Sequence, residues 1–355
     1  MKTITELDSN FIPAPPDYPD AVFLDALSEP FRLYGLIPSK DGEGFFRMSP
    51  DVAEKVSEGV CELNCQTSGG RLRFMTDSPY ICLSVKVKHP GIMPHFAPCG
   101  SYGFDMYEKE NGTYFFRGAF LPPIVPAENY SASRTLPSGS KMRDITLDFP
   151  LYSALYSVSV GLKKGSCLEK APEYTVKKPV VYYGSSITQG ACATRPGSMY
   201  PAILSRKLDC DYIDLGFSGN ARAEQVMADY IADLPMSAFV YDYDHNAPSP
   251  EFLEKTHMRL FETFRKKQPD TPVVILSRPR YVQDEDTCAR LAVIRKTYEK
   301  ALADGDRNVY LLNGKELMAL ADDDGTVDDC HPTDLGFRSM ANAVEPILRA
   351  ILYKK

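Results

Sequence analysis

Short apolar segments recur through the second half of the sequence, and the segments between them have the periodicity of amphipathic helices. The apolar segments cover residues 180–183, 212–215, 239–243, 273–276 and 309–312. Each is short enough to be a parallel strand that is buried on both faces. Helices are predicted over residues 251–267, 284–303 and 333–353. Strands that alternate with helices predict a doubly wound α/β domain, with its site at the carboxyl ends of the strands.

The first half of the sequence has a different periodicity. From about residue 68 to 162, apolar residues such as Ile81, Leu83 and Val85 alternate with polar ones, which is typical of half-buried strands. Asn111-Gly112 predicts a tight hairpin, because both residues tolerate positive φ. We therefore expect an antiparallel β-sandwich, preceded by a short helix near residues 50–60. A stretch with Lys and Pro at 163–178 separates the two patterns, so we place the domains at residues 1–172 and 173–355.

Composition excludes several classes of function. The net charge is −7, from 47 acidic and 40 basic residues, which argues against binding to a nucleic acid backbone. No apolar run reaches the length of about 18 residues that a membrane helix needs. The first ten residues lack the apolar core of a secretory signal. The nine cysteines show no metal-type spacing, so we expect reduced thiols and a cytoplasmic location.

A small-residue turn follows the first apolar segment of the second half. The run from Pro179 to Gly190 reads P-V-V-Y-Y-G-S-S-I-T-Q-G and presents Ser186 directly after the predicted strand. A serine on such a turn can act as a nucleophile if a base takes its proton. The alternatives are a plain Ser-rich turn or a phosphate-binding loop at a helix N-terminus. A P-loop is poorly supported, because the run has no Lys where that motif requires one.

A carboxylate and a histidine lie three residues apart before the last predicted helix, as Asp328 and His331. At this spacing the carboxylate can turn back to the imidazole Nδ1–H, which leaves Nε2 free as a general base for Ser186. Pro332 then suits the first turn of the helix. Asp329 is a competing orienting group, but its shorter separation makes the geometry harder. An acidic loop with a helix cap is the alternative reading.

Two further strand ends offer donors for an oxyanion. Gly219 follows the second apolar segment and can present an unobstructed backbone N–H, whereas Asn246 follows the third and can present a side-chain amide. Asn220 competes with Asn246 for this role. His245, with Asp242 and Asp244, suggests a metal only weakly, since no further ligand stands at a recognisable spacing. We therefore expect His245 to be structural, at the rim of the cleft.

The segment from about residue 178 to 352 resembles the SGNH hydrolase superfamily, also called GDSL-type esterases and lipases. The nucleophile block is matched by Gly184-Ser185-Ser186, and the D-x-x-H block by Asp328 and His331. Gly219 and Asn246 match the blocks that contribute an oxyanion glycine and an oxyanion asparagine, beside the Ser186 N–H. The resemblance implies a three-layer α/β/α fold and a Ser186–His331–Asp328 triad that needs no metal or other cofactor.

The N-terminal half also resembles a known module. Residues 103–107 read G-F-D-M-Y, close to the G-x-D-L-Y signature of a jelly-roll-like β-sandwich that precedes one branch of these hydrolases. We do not place Asp105 or Tyr107 in the active site. The hydrolase part departs from the family pattern at three points: Ser185 replaces the usual aspartate, Asp214 replaces an asparagine, and the block around Asn246 lacks the G-x-N-D form.

These motifs predict a serine esterase that removes short acyl groups, with acetyl esters of a carbohydrate as the first choice of substrate by family resemblance. An acyltransferase with the same triad and a degenerate hydrolase that only binds carbohydrate are the alternatives. The expected partner is a small-molecule or oligosaccharide ester, without nucleic acid or membrane, and a homo-oligomer stays open. The chain has no Trp, so contacts with sugar rings would have to use Tyr or Phe.

Overall fold

The computed structural model describes residues 18–137, 139 and 141–354. Residues 1–17, where the predicted sandwich domain begins and where the sequence lacks an apolar leader run, lie outside the described residues. The strands of the first half, β1 to β12, are Ala21–Asp25, Arg32–Tyr34, Ile37–Pro38, Phe45–Phe46, Arg71–Thr76, Tyr80–His89, Phe104–Glu110, Thr113–Phe120, Asn129–Thr135, Arg143–Asp148, Ala154–Lys163 and Leu168–Glu169. All their pairings are antiparallel.

The first half forms a two-sheet sandwich, as the alternating pattern predicts. One sheet has the order β1-β11-β6-β9, and the other has the order β12-β5-β10-β7-β8 with β2 paired to β5. Ile81, Leu83, Val85 and Val87 of β6 are buried in the core between the sheets, whereas Lys86 and Lys88 are exposed. This alternation is what a strand with one covered face requires.

The predicted hairpin joins β7 to β8. Asn111 has φ +50° and Gly112 has φ +79°, and the two strands pair from Phe104 opposite Phe120 to Glu110 opposite Thr113. Positive φ at both central residues matches the right-handed twist of the flanking strands.

The second half contains a parallel five-stranded sheet. Its strands, β13 to β17, are Val176–Gly184, Cys210–Gly216, Ala238–Asp242, Val273–Leu276 and Val309–Leu312. Their spatial order is β14-β13-β15-β16-β17, so β13 pairs in parallel with both β14 and β15. The chain therefore reverses direction of winding at β13, and open α/β sheets bind their ligands at this switch point.

Helices cover both faces of the parallel sheet. The helices α1 to α10 are Pro50–Val56, Glu58–Leu63, Pro98–Ser101, Ser186–Gln189, Tyr200–Leu208, Gln225–Asp233, Pro250–Lys267, Glu285–Ala303, Gly314–Leu317 and Asp334–Leu352. One buried cluster packs α5 and α10 against the sheet, and a second packs α6, α7 and α8 against its other face. The three-layer α/β/α architecture is thus present. Among the described helices, none combines the length and the apolar character of a membrane span.

The prediction of one short helix near residues 50–60 ahead of the sandwich is wrong in two respects. Ser57 caps a second helix there, with its hydroxyl accepting the Val60 N–H at 3.1 Å, so α1 and α2 are separate. Four strands, β1 to β4, also precede these two helices. The prediction missed them, because β1 and β2 are formed by pairing with strands far away in the sequence. Such long-range pairing leaves no mark in a local pattern. Met48, Ala53 and Val60 belong to the hydrophobic cluster of the parallel sheet, so this segment packs on the second half.

The G-x-D-L-Y-like motif lies in the contact between the two halves. Asp105 is fully buried on β7, accepts the Gly197 N–H at 3.1 Å and pairs with Arg195 at 3.0 Å. Arg195 also donates to the Tyr107 hydroxyl at 2.6 Å. Burial, with the neighbouring Asp148 carboxyl, raises the pKa of Asp105. These contacts hold the loop that follows the candidate nucleophile against the sandwich.

A second buried cation reinforces the same contact. Arg71 on β5 pairs with Asp211, donates to the Tyr212 carbonyl at 3.0 Å and lies 3.8 Å from the centre of the Tyr212 ring. The sandwich therefore presents a charged face that is buried because the parallel domain supplies its partners. Removing one partner of such a pair leaves an uncompensated charge.

We expect Asp105→Ala to lower the free energy of unfolding by about 3 kcal/mol, because Arg195 and the Gly197 N–H lose their buried acceptor. Urea unfolding followed by circular dichroism measures the change. Glu299→Ala is the control, since Glu299 is exposed on α8 and its removal should change stability by less than about 0.5 kcal/mol. An Asp105→Ala protein as stable as this control would show that the contact contributes nothing.

Candidate active site

The candidate nucleophile lies where the central strand meets a short helix. β13 ends at Gly184 and α4 begins at Ser186, with the Ser185 hydroxyl accepting the Ile187 N–H at 3.1 Å as a cap. A Cβ at Gly184 would overlap the Asp242 carboxylate, so only glycine allows this close approach. Ser186 is 7% exposed. The turn thus holds its hydroxyl at the carboxyl edge of the sheet.

Three side chains of the predicted triad lie within hydrogen-bond distance of each other. The Ser186 Oγ is 2.9 Å from the His331 Nε2, although 145 positions separate them in sequence. The His331 Nδ1 is 2.8 Å from the Asp328 Oδ2. With the Nδ1 proton held by Asp328, Nε2 is free to accept a proton from the hydroxyl. This geometry suits nucleophilic catalysis by serine.

The loop that carries Asp328 and His331 is closed on itself. The Val327 N–H donates to the His331 carbonyl at 2.9 Å, and the His331 N–H donates to the Asp328 Oδ1 at 2.7 Å. Partial burial acts to raise the pKa of Asp328, but the backbone and side-chain hydrogen bonds from His331 outweigh it and lower that pKa below its usual value. The carboxylate is therefore ionised at neutral pH, as an orienting group requires.

The structure distinguishes Asp328 from Asp329. The Asp329 side chain is 77% exposed and forms an ion pair with Arg280, so it faces away from the imidazole.

The prediction that Pro332 lies in the first turn of the final helix is wrong. Thr333 is the N-cap and α10 begins at Asp334, because Pro332 instead pairs with Thr326 across the base of the loop.

The candidate oxyanion donors follow three adjacent strands. Gly219 has φ +70°, a conformation that glycine adopts without strain. Among the described residues, neither the Ser186 N–H nor the Gly219 N–H donates to another group. The Asn246 Oδ1 accepts the Ala221 N–H at 3.1 Å, and among the described residues its Nδ2 donates to no other group, so it is available as a donor.

The rival asparagine is engaged elsewhere. The Asn220 Nδ2 donates to the Ser218 carbonyl at 2.8 Å, and the Asn220 side chain packs against Gly59 of α2. The geometry therefore favours Asn246 over Asn220 as the side-chain donor.

The polar residues around His245 do not converge on one point. The Asp242 Oδ1 accepts the Thr188 hydroxyl at 2.5 Å, whereas the Asp244 Oδ2 accepts the Arg278 N–H at 3.0 Å. The His245 Nδ1 lies 3.7 Å from the Cys330 Sγ. Burial, with the nearby Asp244 carboxylate, raises the pKa of Asp242 to about 8. Asp242 is therefore largely protonated at neutral pH, and it accepts a hydrogen bond from Thr188 of the nucleophile turn.

Ser185 and Asp214, two positions at which the sequence departs from the family pattern, both accept hydrogen bonds from backbone N–H groups. Ser185 caps α4, and the Asp214 Oδ1 accepts the Gly216 N–H at 2.7 Å. The Ser68 hydroxyl, from the sandwich half, lies 2.9 Å from the Asp214 Oδ2 and 2.7 Å from the Gln189 carbonyl. Burial raises the pKa of Asp214 to about 6 against the opposing effect of Arg47.

Sequence reasoning missed several residues around the site. The Gln189 Oε1 accepts the Ser218 N–H at 3.0 Å, which fixes the turn before Gly219, and the Tyr152 hydroxyl donates to the Ser186 carbonyl at 3.3 Å. Gln189 belongs to the quoted run and could have been singled out there. Tyr152 had no local signal, because it reaches the site from the other half of the chain.

His95 and Cys192 are two further residues that the sequence did not single out. Their ligating atoms and that of His331 all lie within 4.8 Å of one another. His95 is exposed on the loop between β6 and α3, whereas Cys192 is buried two residues after Gly190. Burial, with the nearby Asp328 carboxylate and Cys330, raises the pKa of the Cys192 thiol to about 12. The thiol is therefore protonated at neutral pH.

A cavity of about 320 Å³ lies beside the triad loop, lined in part by Arg280, Tyr281, Asp322 and Asp323. A larger concavity of about 560 Å³ includes Pro269, Asp270 and Asn308, which precede β16 and β17. That concavity is at the amino edge of the sheet, opposite the triad. The smaller cavity includes Thr326 and Asp329 of the triad loop, but its lining contains none of Ser186, Asp328 and His331.

Comparisons with known families cover nearly the whole described chain. Residues 177–349 match the GDSL-like Lipase/Acylhydrolase family. Residues 21–168 match the family called GxDLY, the N-terminus of Esterase_SGNH_hydro-type proteins. A search of curated proteins finds no match.

Solved structures resemble both halves together. A protein from Bacteroides ovatus described as a GDSL-like lipase is 30% identical, with a TM-score of 0.82, and the match covers 94% of this chain and 98% of that one. A salicylyl-acyltransferase from a tetracycline biosynthetic pathway is 20% identical, with a TM-score of 0.74 over 95% and 99% of the two chains. An acetyl xylan esterase from Butyrivibrio proteoclasticus is 12% identical, with a TM-score of 0.57 over 93% and 98%.

The last two matches show a shared fold, whereas the first matches in sequence as well as in structure over almost the full length of both chains. Together with the two family matches, it establishes that this chain belongs to the GDSL-like lipase/acylhydrolase family of SGNH hydrolases, in the branch that carries an N-terminal GxDLY sandwich module.

Proposed function

We propose that this protein is a serine esterase that hydrolyses acetyl or other short acyl esters of a carbohydrate through an acyl-enzyme intermediate. The observation that carries the proposal is the continuous hydrogen-bonded series from the Ser186 Oγ through His331 to Asp328, with distances of 2.9 Å and 2.8 Å. A nucleophile, a base and an orienting carboxylate in this order are the requirements of acyl transfer by serine.

The first step forms the acyl-enzyme. Ser186 attacks the ester carbonyl while the His331 Nε2 takes the hydroxyl proton, and Asp328 stabilises the imidazolium that results. The oxyanion lies against the N–H groups of Ser186 and Gly219 and the Nδ2 of Asn246. Donors fixed before the reaction need no reorganisation when the charge develops, which is the source of their catalytic effect.

The second step releases the acyl group. In the first step the His331 Nε2 gives its proton to the alcohol as the ester C–O bond breaks, which completes the acyl-enzyme. In the second step Nε2 takes a proton from a water molecule that attacks the acyl carbonyl, and it returns this proton to the Ser186 Oγ as the acid leaves. The His331 side chain is 21% exposed, so water can reach the intermediate. This exposure favours hydrolysis over transfer to an alcohol, because a transferase has to keep water away from the acyl-enzyme.

The choice of an acetylated carbohydrate is supported by the structural comparison. One of the proteins with the same fold is an acetyl xylan esterase. A long acyl chain would need an extended apolar surface to receive it.

We expect Ser186→Ala to lower kcat for nitrophenyl acetate by about 10⁴-fold or more, because the nucleophile is lost. A spectrophotometric assay of nitrophenol release measures this change, and melting of the variant beside the unchanged protein shows whether the fold is kept. A folded variant with undiminished turnover would contradict the assignment.

The unchanged protein and Ser186→Ala also distinguish the esterase from the two alternatives, an acyltransferase and a degenerate carbohydrate-binding protein. An organofluorophosphonate should label the unchanged protein and leave Ser186→Ala unlabelled, whereas a degenerate carbohydrate-binding protein would not be labelled at all. With an acetylated xylo-oligosaccharide and an added alcohol, an esterase releases free acetate. An acyltransferase would transfer the acetyl group to the alcohol instead.

We expect Asp328→Asn to lower kcat by about 10⁴-fold, because an amide cannot hold the imidazole in the required tautomer. Asp329→Asn is the matched control, since it alters the neighbouring carboxylate that pairs with Arg280 rather than with His331. It should keep kcat close to that of the unchanged enzyme. Equal losses in the two variants would mean that Asp328 has no particular role.

We expect Asn246→Ala to lower kcat by about 10²-fold through loss of one oxyanion donor, with KM little changed. Asn220→Ala removes the adjacent rival, whose amide is bonded to the Ser218 carbonyl, and should reduce kcat far less. Steady-state kinetics on nitrophenyl acetate measure both. The reverse ranking would transfer the oxyanion role to Asn220.

A further inference from the structure

Three potential metal ligands from separate segments meet at the candidate base. His95 comes from the sandwich loop between β6 and α3, Cys192 from the loop after α4, and His331 from the triad loop. Their ligating atoms lie within 4.8 Å of one another. The rings of His95 and His331 are 5.7 Å apart between centroids. The cluster therefore joins both halves of the protein.

Two imidazoles and one thiolate are the ligand types that Zn²⁺ binds in proteins, with a fourth position open. Zinc–nitrogen bonds of about 2.0 Å and zinc–sulfur bonds of about 2.3 Å place tetrahedral ligand atoms roughly 3.5 Å apart. The distances between ligating atoms in the cluster, at most 4.8 Å, exceed this separation by at most about 1.3 Å. His95 is exposed, so its side chain can make the shift.

The surroundings already orient one of the three ligands. The Asp328 Oδ2 lies 2.8 Å from the His331 Nδ1, which leaves Nε2, on the side of the Ser186 Oγ, as the ring nitrogen free to bind a metal. A carboxylate that accepts the other ring N–H is the common outer partner of a zinc-bound histidine, since it fixes the ring and raises its basicity. The hydrogen bond that orients His331 toward Ser186 would therefore also orient His331 as a metal ligand.

We propose that Zn²⁺ binds His95, Cys192 and His331 and thereby inhibits the enzyme reversibly. Coordination displaces the thiol proton of Cys192 to solvent and occupies the Nε2 lone pair of His331. An occupied Nε2 cannot take the proton of Ser186, so the nucleophile stays inactive until the metal leaves. The binding site is independent of the proposed function, whereas the inhibition rests on it.

Binding can be tested without any activity measurement. Co²⁺ added to metal-free protein should give a thiolate-to-cobalt charge-transfer band, and added Zn²⁺ should remove it. Cys192→Ser should abolish the band. Cys330→Ser is the matched control, because Cys330 is adjacent to His331 but contacts His245, and it should keep the band. Loss of the band in Cys330→Ser rather than in Cys192→Ser would overturn the site.

Inhibition is tested with nitrophenyl acetate over a Zn²⁺ titration. The unchanged protein should lose activity and regain it when a chelator is added. His95→Ala should keep its activity without metal yet require at least about 10-fold more Zn²⁺ for the same inhibition. Equal sensitivity in His95→Ala and the unchanged protein would overturn the proposal. A cobalt band in a protein without esterase activity would overturn the proposed function and leave the metal site in place.

Discussion

The parallel pairing of β13 with both of its neighbours is the constraint on which the site depends. β14 and β15 lie on either side of β13, so the turns after these three strands open at one edge of the sheet. Ser186, Gly219 and Asn246 follow these strands in turn. The candidate oxyanion donors therefore need no long loop to approach the candidate nucleophile, because they follow neighbouring parallel strands that end at the same edge of the sheet.

The sandwich half completes this arrangement through charged contacts as well as apolar ones, since Leu151 and Tyr152 belong to a hydrophobic cluster of the parallel sheet. Asp105 and Arg71 lie on a sheet face that would be solvent-exposed in an isolated sandwich, and both are buried against the parallel domain. Buried pairs of this kind add little net stability but fix one relative placement, because any other placement leaves a charge without a partner. The placement matters for the proposed metal site, since the loop that carries His95 lies beside His331 only when the sandwich is seated against the parallel domain.

Local signals predicted much of the fold. Residues 273–276 and 309–312 form strands with the predicted bounds, since short apolar runs leave few choices once both faces are covered. Ser249 and Asp284 accept N–H groups at 3.3 Å and 2.7 Å at the starts of α7 and α8, so these helices begin where capping residues place them. β1 was not predicted, because its side chains are largely exposed and its only support is pairing with β11.

The residues of the candidate site likewise fall into two groups, those with a local signal in the sequence and those without one. Ser186, Asp328 and His331 stand in short motifs whose spacing carries the chemistry, and family resemblance pointed to Gly219 and Asn246. His95, Cys192 and Tyr152 carry no such signal, because each reaches the site through packing between segments far apart in sequence. The choice between Asn246 and Asn220 also required coordinates, since only the direction of each amide distinguishes them.

A buried acid, Asp242, lies against the turn that carries the candidate nucleophile. Ser185 stands where the family resemblance implies an aspartate, and Asp242 on the adjacent strand accepts the Thr188 hydroxyl at 2.5 Å. An ionised carboxylate there would oppose the negative charge that develops on the substrate oxygen. Burial raises the pKa of Asp242 to about 8, so the group is mainly protonated at neutral pH. The turn thus gains a hydrogen-bonding partner without a competing charge, while the carboxylate bonded to the His331 Nδ1 is the ionised Asp328.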